Sequence, residues 1–191
     1  MKSTSDDELV QRCLEAKQAS ADAFAELYDR HAGPLLAFLV GFHRGDEHSA
    51  HDALQEAFFR FHTALPSFQQ GRALRPWLYR IARNVSLDMF KRKGAETAVL
   101  DPTVLGVAAG ASAAPSPAEQ ASQKEAVGLL RRVVLELPRQ ELAVFLLKHD
   151  QGLTYAQVAD ALSCSVRTAK YRMKAALEHI GREAERQGVQ A

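Results

Sequence analysis

The segment 75–93 carries side chains whose chemistry suits contact with DNA. Arg80, Arg83 and Asn84 follow shortly after Trp77 in one helix-forming stretch. Guanidinium groups neutralise phosphate, a carboxamide can hydrogen-bond the edge of a base, and exposed aromatic rings stack on unpaired bases. This combination predicts a surface for single-stranded or opening DNA. The two arginines and the asparagine carry the prediction, because Trp77 by itself is better explained as a core residue.

Residues 154–177 have the layout of a helix-turn-helix. Thr154 and Gln157 match a capping box at the start of the first helix, and residues 163–165 form the short turn. The second helix fits a recognition helix in a major groove, where arginine pairs with guanine and lysine or serine holds phosphate. The candidate DNA contacts are Ser165, Arg167, Thr168, Lys170, Tyr171, Arg172 and Lys174. Periodicity alone leaves open an αα-hairpin with a basic face.

The same periodicity predicts which side chains of this motif are buried. The first helix buries an apolar face, with Ala159 small enough to let the second helix cross closely. In the second helix the spacing predicts burial of Val166, Ala169, Met173 and Leu177. Cys164 lies in the turn and is expected to fill the space between the helices, because no second cysteine or histidine cluster nearby completes a redox or metal site.

A cluster of acidic and imidazole groups is the candidate for a third kind of chemistry. It consists of Asp46, Glu47, His48, His51 and Asp52. His48 and His51 share a helix face and could bind a metal together with a carboxylate, which would make the chain an enzyme. We favour an acidic solvated turn, because no nucleophile or phosphate-binding loop accompanies the cluster. We therefore expect no catalytic residue, no metal and no cofactor.

The charge distribution along the chain supports two separate DNA-binding surfaces. The 191 residues carry a formal net charge of only +1, with 47% hydrophobic and 25% charged residues. Residues 1–56 hold 5 basic and 11 acidic residues, whereas 75–93 hold 6 basic and 1 acidic, and 165–182 hold 5 basic and 1 acidic. The near-neutral total therefore hides two cationic segments, although any one of them could be an ordinary solvated helix face.

Helical periodicity and composition predict an all-α chain with two small domains and a flexible linker. We place the first domain at 5–93, the linker, rich in Ala, Ser, Gly and Pro, at 94–123, and the helix-turn-helix domain at 124–182. Within the first domain, Leu65 to Leu74 breaks the helical period and is expected to be a loop. We expect a cytoplasmic protein with reduced thiols and no membrane span, because no signal core or run of about 18 apolar residues occurs.

Several stretches together resemble the extracytoplasmic-function (ECF) group of bacterial sigma factors. They are DDELVQRC near the N-terminus, DALQEAFFRF at 52–61, WLYRIARN at 77–84, the low-complexity linker and LTYAQVADALSCSVRTAKYRMKAAL towards the C-terminus. The resemblance covers nearly the whole chain except the linker and the tail. It is specific, because two unrelated motifs occur in the right order and at the right separation.

The resemblance implies a role for each segment. Asp52, Gln55 and Glu56 would dock on the β′ clamp helices of core RNA polymerase. The helix with Arg80, Arg83 and Asn84 would recognise and help to melt the −10 promoter element. The loop before that helix would capture a base flipped from the non-template strand, and its candidate pocket residues are Phe68, Gln69, Gln70 and Arg72.

The resemblance also implies that the helix-turn-helix reads the −35 element of promoter DNA and packs on the β flap. An anti-sigma factor would hold the free protein inactive. Members of this group commonly have a basic residue where this chain has Leu142, Glu-Ile-Ala where it has Gln157 to Ala159, and Gly-Thr-Val where it has Arg167 to Ala169. The last difference adds a charge to the recognition helix, so an inherited −35 sequence is not expected. The alternative function is a helix-turn-helix regulator that does not act through core polymerase.

Overall fold

The computed structural model describes residues 4–15, 17–69, 71–92, 94 and 128–186, and within these ranges the regular structure is helical, without strands. The predicted all-α fold class is therefore confirmed. The predicted linker at 94–123 lies outside the described residues except for Gly94. Among the described residues, no helix has the length and apolarity needed to cross a membrane.

Four helices and one short turn of 3₁₀ helix form the first part of the structure. These are α1 (Asp6–Leu14), α2 (Lys17–Phe42), α3 (Glu47–Ala64), the 3₁₀ turn (Leu65–Ser67) and α4 (Leu74–Arg92). Ser5 caps α1 through a complete capping box with Glu8. Asp46 caps α3 by accepting the backbone N–H of Ser49.

Aromatic rings fill the centre of this part. Phe38, Phe42 and Phe61 are each at most 1% exposed. Phe38 stacks on Phe42 at 5.5 Å between ring centroids and meets Tyr79 edge to face at 5.3 Å, which joins α2 to α4. Trp77 packs against Phe61 at 5.4 Å, so it contributes to the core as its residue type predicts.

The second part consists, in the described residues, of four α-helices and one π-helical turn. Helix α5 is described over 128–136, and α6 (Arg139–Phe145) continues directly into a π-helical turn (Leu146–Asp150). The helix-turn-helix consists of α7 (Tyr155–Ala161) and α8 (Val166–Arg186). Thr154 and Gln157 form both hydrogen bonds of the predicted capping box at the start of α7.

The buried stripe of α8 differs in part from the predicted one. Ala169 and Met173 are buried as predicted, but Val166 is 42% and Leu177 55% exposed, so these two predictions are wrong. Ala176 takes the place of Leu177 in the stripe, because a helix of 3.6 residues per turn carries the 169–173 face to position 176. The turn before α8 behaves as expected: Cys164 is half-buried and packs against the core.

Two helices end in left-handed turns at residues other than glycine. Arg44 follows α2 with φ of 57°, and Ser163 follows α7 with φ of 51°. In the turn after α7, the N–H of Cys164 bonds the carbonyl of Ala159 and the N–H of Ser163 bonds that of Asp160. This is a Schellman motif, which satisfies the free carbonyls at the end of a helix.

The two parts pack against each other along one side of α4 and the C-terminal end of α2. Arg44 donates to the carbonyls of Leu135 and Leu137 at the end of α5, the second at 3.1 Å. The guanidinium of Arg139 on α6 lies 3.7 Å from the ring centroid of Phe90 on α4. Buried side chains from both parts consequently join in one continuous core.

Candidate nucleic-acid and protein interfaces

The polar face of α8 is open to solvent. Arg167, Lys170 and Lys174 are exposed, and Tyr171 is 73% exposed. Lys174 pairs along the helix with Glu178 at 3.6 Å, and the other long side chains project from the first three turns of the helix. Thr168 and Arg172 are partly buried at the edges of this face. The structure therefore brings the predicted recognition residues together on one accessible surface.

Ser165 has a structural role at the start of α8. Its Oγ accepts the backbone N–H of Thr168 at 3.0 Å and shares a hydrogen bond with the hydroxyl of Thr168 at 2.8 Å. The cap orients the first turn of α8, because it satisfies an otherwise free backbone N–H. Ser165 is exposed, so its hydroxyl can also reach a ligand at the start of the helix.

The predicted −10 surface on α4 is less accessible. Asn84 is exposed, whereas Arg80 and Arg83 are partly buried. Arg83 donates to the side-chain oxygen of Asn84 at 3.4 Å. Burial lowers the pKa of the Arg83 guanidinium, and the nearby positive charge of Arg172 on α8 lowers it further. The charges of the two predicted DNA surfaces therefore interact at Arg83 and Arg172.

Asp160, at the end of α7, binds two of the predicted −10 residues. Its carboxylate accepts a hydrogen bond from Arg72 at 2.6 Å and another from Arg80. Arg80 also donates Nε to the main-chain carbonyl of Asp160 at 2.9 Å. Arg80 therefore caps the C-terminal end of α7, where the helix dipole is negative. The sequence does not point to Asp160, because a contact across 80 or more residues leaves no local signal.

Two further hydrogen bonds extend this contact towards the π-helical turn. Tyr79 on α4 donates its hydroxyl to the side-chain oxygen of Gln151 at 2.6 Å, and Arg75 donates to the Gln151 carbonyl at 3.0 Å. Burial of Tyr79 raises the pKa of its phenol to about 12, so the hydroxyl keeps its proton across the neutral range.

The loop before α4 lies beside a small groove. Phe68 packs on Trp77 with ring centroids 4.8 Å apart, and Gln69 is exposed. Gln70 lies outside the described residues. Between the loop and α1 there is a cavity of about 230 Å³. It is lined by Asp7, Glu8, Val10, Gln11, Phe68 and Gly71. The side chains of α1 were not predicted to take part, since the loop alone carried the expectation.

The exposed face of α3 combines polar and aromatic side chains. Asp52 and Gln55 are exposed, and Glu56 is half-exposed. Glu56 accepts from Arg60 at 2.7 Å, and Arg60 also donates to Asp88 on α4 at 3.0 Å. The hydrogen bond from Arg60 lowers the pKa of Asp88. The face is therefore held in place by a short chain of charged groups.

Phe59 belongs to this face but is not among the predicted polymerase contacts. It is 70% exposed, one turn beyond Gln55 on the same side of α3. Ala57, Phe58 and Phe61 are buried. A helical projection of those three positions would have placed Phe59 outside, so the signal was present in the sequence. A large exposed ring on a polar helix is typical of a protein-binding surface.

The acidic and histidine cluster is used structurally. Asp46 caps α3 as described above, and it also accepts from the hydroxyl of Ser49 at 2.5 Å. His48 is highly exposed and lies 3.7 Å from Asp52, one turn further along α3. In the part of the chain that the structure describes, no group of three or more His, Cys, Asp or Glu side chains is arranged to hold a metal ion.

Comparison with protein families divides the chain in the same way as the structure. The family model described as Sigma-70 region 2 matches residues 27–96, which begin inside α2 and include α3 and α4. The model described as Sigma-70, region 4 matches residues 128–180, which include the helix-turn-helix. Together these two matches cover more than half of the chain.

Individual proteins show the same likeness. The chain is 29% identical over 182 residues to the ECF RNA polymerase sigma factor SigW of Bacillus subtilis (strain 168), covering 92% of this chain and 94% of that protein. It is 33% identical over 156 residues to the ferric citrate uptake sigma factor FecI of Escherichia coli (strain K12), covering 82% and 87%.

Two solved structures share the fold. CnrH in complex with the cytosolic domain of CnrY aligns with a TM-score of 0.68 at 19% identity, covering 94% of this chain and 97% of that one. The sigma factor RpoE in complex with the anti-sigma factor NepR from Bartonella quintana aligns with a TM-score of 0.66 at 18% identity, covering 85% and 96%. At these identities the structures support the fold of both halves.

Proposed function

The chain belongs to the sigma-70 family of bacterial transcription initiation factors, in the ECF group, and we propose that it reads two promoter elements through two separate helices. As a member of that family it binds core RNA polymerase and promoter DNA and directs transcription initiation without being an enzyme. In this proposal, a domain at 5–93 recognises the −10 element and a domain at 124–182 recognises the −35 element.

The observation that carries the proposal is the open polar face of α8. Arg167, Lys170, Tyr171 and Lys174 are exposed together on a helix that a capped α7 holds at the surface. A major groove admits such a helix, and arginine or lysine can read guanine there while a tyrosine ring contacts a thymine methyl group. We assign the −35 element to this face.

The −10 element is assigned to α4 and the loop before it. Asn84 and Gln69 are exposed, and Arg72, Arg80 and Arg83 supply positive charge next to them. The groove between α1 and the loop offers a place for an unstacked base against Phe68. Extruding a base costs a few kcal/mol, so a pocket that stacks and hydrogen-bonds one particular base provides selectivity.

Polymerase binding is assigned to α3. Asp52, Gln55 and Glu56 form the polar part of its exposed face, and Phe59 adds an apolar centre. We propose that this face docks on the β′ clamp helices and that the helix-turn-helix domain contacts the β flap. The relative RpoE forms a complex with an anti-sigma factor. We propose a protein inhibitor of the same kind for this chain.

Transcripts initiated by reconstituted polymerase would test the assignment. Core polymerase with the wild-type chain should start at promoters that share two short elements. Arg167→Ala should relax the sequence preference at the −35 element alone, and Asn84→Ala should relax it at the −10 element alone. Exchange of these two effects, or loss of both preferences in both variants, would contradict the division between α8 and α4.

Co-purification would test the docking face and the alternative function. Gln55→Ala and Phe59→Ala should weaken binding to core polymerase, whereas Lys174→Ala, on the opposite domain, should leave it within about twofold of wild type. A helix-turn-helix regulator that does not act through polymerase would not associate with it and would support no initiation. Such a result would favour the alternative.

A further inference from the structure

We propose that Arg60 is a positioning residue for polymerase binding, which holds Glu56 of the docking face in place and is itself anchored by Asp88 on α4. We call these three side chains the Arg60 bridge. The inference rests on the proposed function of α3 and concerns how its exposed face is ordered before the polymerase binds. Asp88 belongs to the helix assigned to the −10 element, outside the docking face. It would therefore contribute to polymerase affinity without contacting the polymerase.

Arg60 joins two carboxylates that lie on two different helices. Its Nε donates to Oε1 of Glu56 at 2.7 Å, one turn earlier on α3, and its Nη1 donates to Oδ2 of Asp88 on α4 at 3.0 Å. A guanidinium group is planar and rigid, so the bond to Asp88 fixes the plane in which Nε meets Glu56. The orientation of the Glu56 carboxylate consequently depends on a residue of α4.

The contact with Asp88 supplies restraint that the contact within α3 lacks. A glutamate and an arginine one turn apart on a helix order each other only weakly, because both side chains are long and flexible. The hydrogen bond to Asp88 is the main cause of the raised pKa of Arg60, ahead of the bond to Glu56. The same bond lowers the pKa of Asp88 more than nearby Lys91 and Arg92 do. Asp88 is therefore the anchor of the bridge.

Glu56 keeps the capacity to bind a partner while Arg60 holds it. Its side chain is 44% exposed, and the bond from Arg60 is made to Oε1. An ionised carboxylate has about four acceptor positions, so a donor of the polymerase can reach the same group. Holding a flexible glutamate in one orientation before association reduces the entropy that is lost when the complex forms. The bridge would thus increase affinity by preorganisation.

A second arginine of the same domain makes the same arrangement on other helices. Arg30 on α2 donates to Glu26, one turn earlier, at 2.8 Å and to Asp6 on α1 at 2.6 Å. The side chains of Arg30 and Glu26 are 30% and 47% exposed, close to the 35% and 44% of Arg60 and Glu56. The two bridges therefore match in geometry and exposure but differ in the surface on which they lie. Arg30 provides a control for the general loss of an arginine bridge.

Competition for core RNA polymerase would test the Arg60 bridge. Unlabelled full-chain variants would displace a dye-labelled wild-type chain from the polymerase, so that every variant is compared against the same label. The test variants are Asp88→Asn, which keeps the size of the anchor and removes its charge, and Arg60→Ala. The matched control is Arg30→Ala. Thermal unfolding of each variant would report its stability separately.

The bridge predicts a graded loss of affinity. Arg60→Ala and Asp88→Asn should each weaken binding to core polymerase by about two- to tenfold, because Glu56 must then be ordered as the complex forms. Arg30→Ala should stay within about 1.5-fold of wild type, with a fall in Tm similar to that of Arg60→Ala. In a chain that already carries Glu56→Ala, Asp88→Asn should weaken binding by less than about 1.5-fold more, because the side chain through which it acts is gone.

Four outcomes would contradict the bridge or the function on which it rests. Unchanged affinity in Asp88→Asn, with a loss in Gln55→Ala, would overturn the bridge and leave the docking face in place. Equal losses in Arg60→Ala and Arg30→Ala, or an undiminished effect of Asp88→Asn in the Glu56→Ala chain, would also overturn it. Unchanged affinity in both Gln55→Ala and Glu56→Ala would instead contradict the proposed docking face. The failure of the bridge and the failure of the proposed function are thus distinguishable.

Discussion

The two basic surfaces of the protein have similar compositions but different environments. On α8, Arg167, Lys170 and Tyr171 are exposed, and the ion pair at this face joins Lys174 to Glu178 within the helix itself. On α4, Arg80 is bound by Asp160 from the other domain. Local sequence therefore decides that a helix is cationic, whereas tertiary contacts decide whether its charge is available to a ligand.

This difference predicts that Asp160→Asn has a different effect when it is combined with Arg80→Ala on α4 than when it is combined with Arg167→Ala on α8. Arg80→Ala should weaken binding of the −10 strand by about tenfold to a hundredfold, and Arg167→Ala should weaken binding of a −35 duplex by a similar factor. Asp160→Asn should strengthen binding of the −10 strand, because it releases donors of Arg80, and this gain should shrink strongly in the Arg80→Ala background, where Asp160 has already lost its main partner. It should be retained for the −10 strand in the Arg167→Ala background.

Fluorescence anisotropy of the full chain with each labelled DNA would measure this cycle. Circular dichroism would verify that the single and double variants keep the wild-type helix content. Additive free energies for the Arg80→Ala and Asp160→Asn pair would break the comparison, since residues that do not interact contribute independently. Strong coupling between Arg167 and Asp160 would also contradict the comparison, because binding by the open face of α8 should not depend on Asp160.

The second prediction concerns the part of the interface that does not compete with DNA. Arg44→Ala leaves two carbonyls at the end of α5 without their charged donor, and we expect a loss of about 1 to 2 kcal/mol. Thermal unfolding should show a fall in Tm of about 2 to 8 °C. Alanine bears the same cost of the left-handed backbone as arginine, so the loss reports the side chain.

Arg60→Ala is the matched control for Arg44→Ala. Arg60 also binds two partners, but Glu56 and Asp88 belong to its own domain. Dyes can be attached through the exposed positions His48→Cys on α3 and Arg186→Cys on α8, in a chain whose Cys13 and Cys164 are changed to serine. Removal of Arg60 should leave energy transfer between these dyes unchanged, while Arg44→Ala should lower it. If both variants opened the domains equally, the interface would not depend on the cap of α5, and the distinction between positioning residues and the competing Asp160 would fail.

Much of the fold followed from local rules in the sequence, whereas the relation between the two surfaces did not. Thr154 starts α7 with the predicted capping box, because such a box depends on two residues only three positions apart. The pairing of Arg80 with Asp160 spans 80 residues and depends on how two domains dock. Neither hydrophobic period nor segment charge contains that information.

For two positions, Phe59 and Leu177, the helical period of the sequence already contains the correct burial. Phe59 lies between buried Phe58 and Phe61, and the helical angle alone places it on the outer face. Leu177 was expected inside because it is large and apolar, but Ala176 has the buried position. In both cases position on the helix decided burial and residue type did not.

The third prediction uses Tyr79 to measure the strength of the interface without touching charge. Tyr79→Phe keeps the buried ring and removes the hydrogen bond to Gln151, so we expect a loss of about 0.5 to 1.5 kcal/mol. Energy transfer should fall less than in Asp160→Asn. A fall as large as that of Asp160→Asn would show that the hydrogen bond of Tyr79 holds the two domains together as firmly as the ion pair of Asp160 does.

The pH dependence of this contact has a definite sign. The pKa of Tyr79 is raised to about 12 in the folded protein, against about 10 for an unburied phenol. Tyr79 therefore holds its proton more tightly in the folded state than in the unfolded state. The contribution of this difference to the free energy of unfolding is complete below about pH 10 and declines as the pH rises towards 12. Phenolate absorbance should show one group that ionises near pH 12 and that is missing in Tyr79→Phe. Its ionisation near 10 would contradict the burial of the hydroxyl.

The smallest expected effect belongs to the open surface. The side chain of Lys174 is 77% exposed. Among the described residues, its ion-pair partner is Glu178 at 3.6 Å. Lys174→Ala should reduce the slope of log affinity against log salt for duplex DNA by about one, with little change in sequence preference.

Arg80→Ala in the same titration with the −10 strand should change the slope by less, because wild type must break the Asp160 contact as it forms the DNA contact. Salt weakens both contacts, so their effects partly cancel on α4 and do not cancel on α8. Equal changes in slope for the two variants would mean that Arg80 is as free as Lys174 in solution, and the two surfaces would then be equivalent.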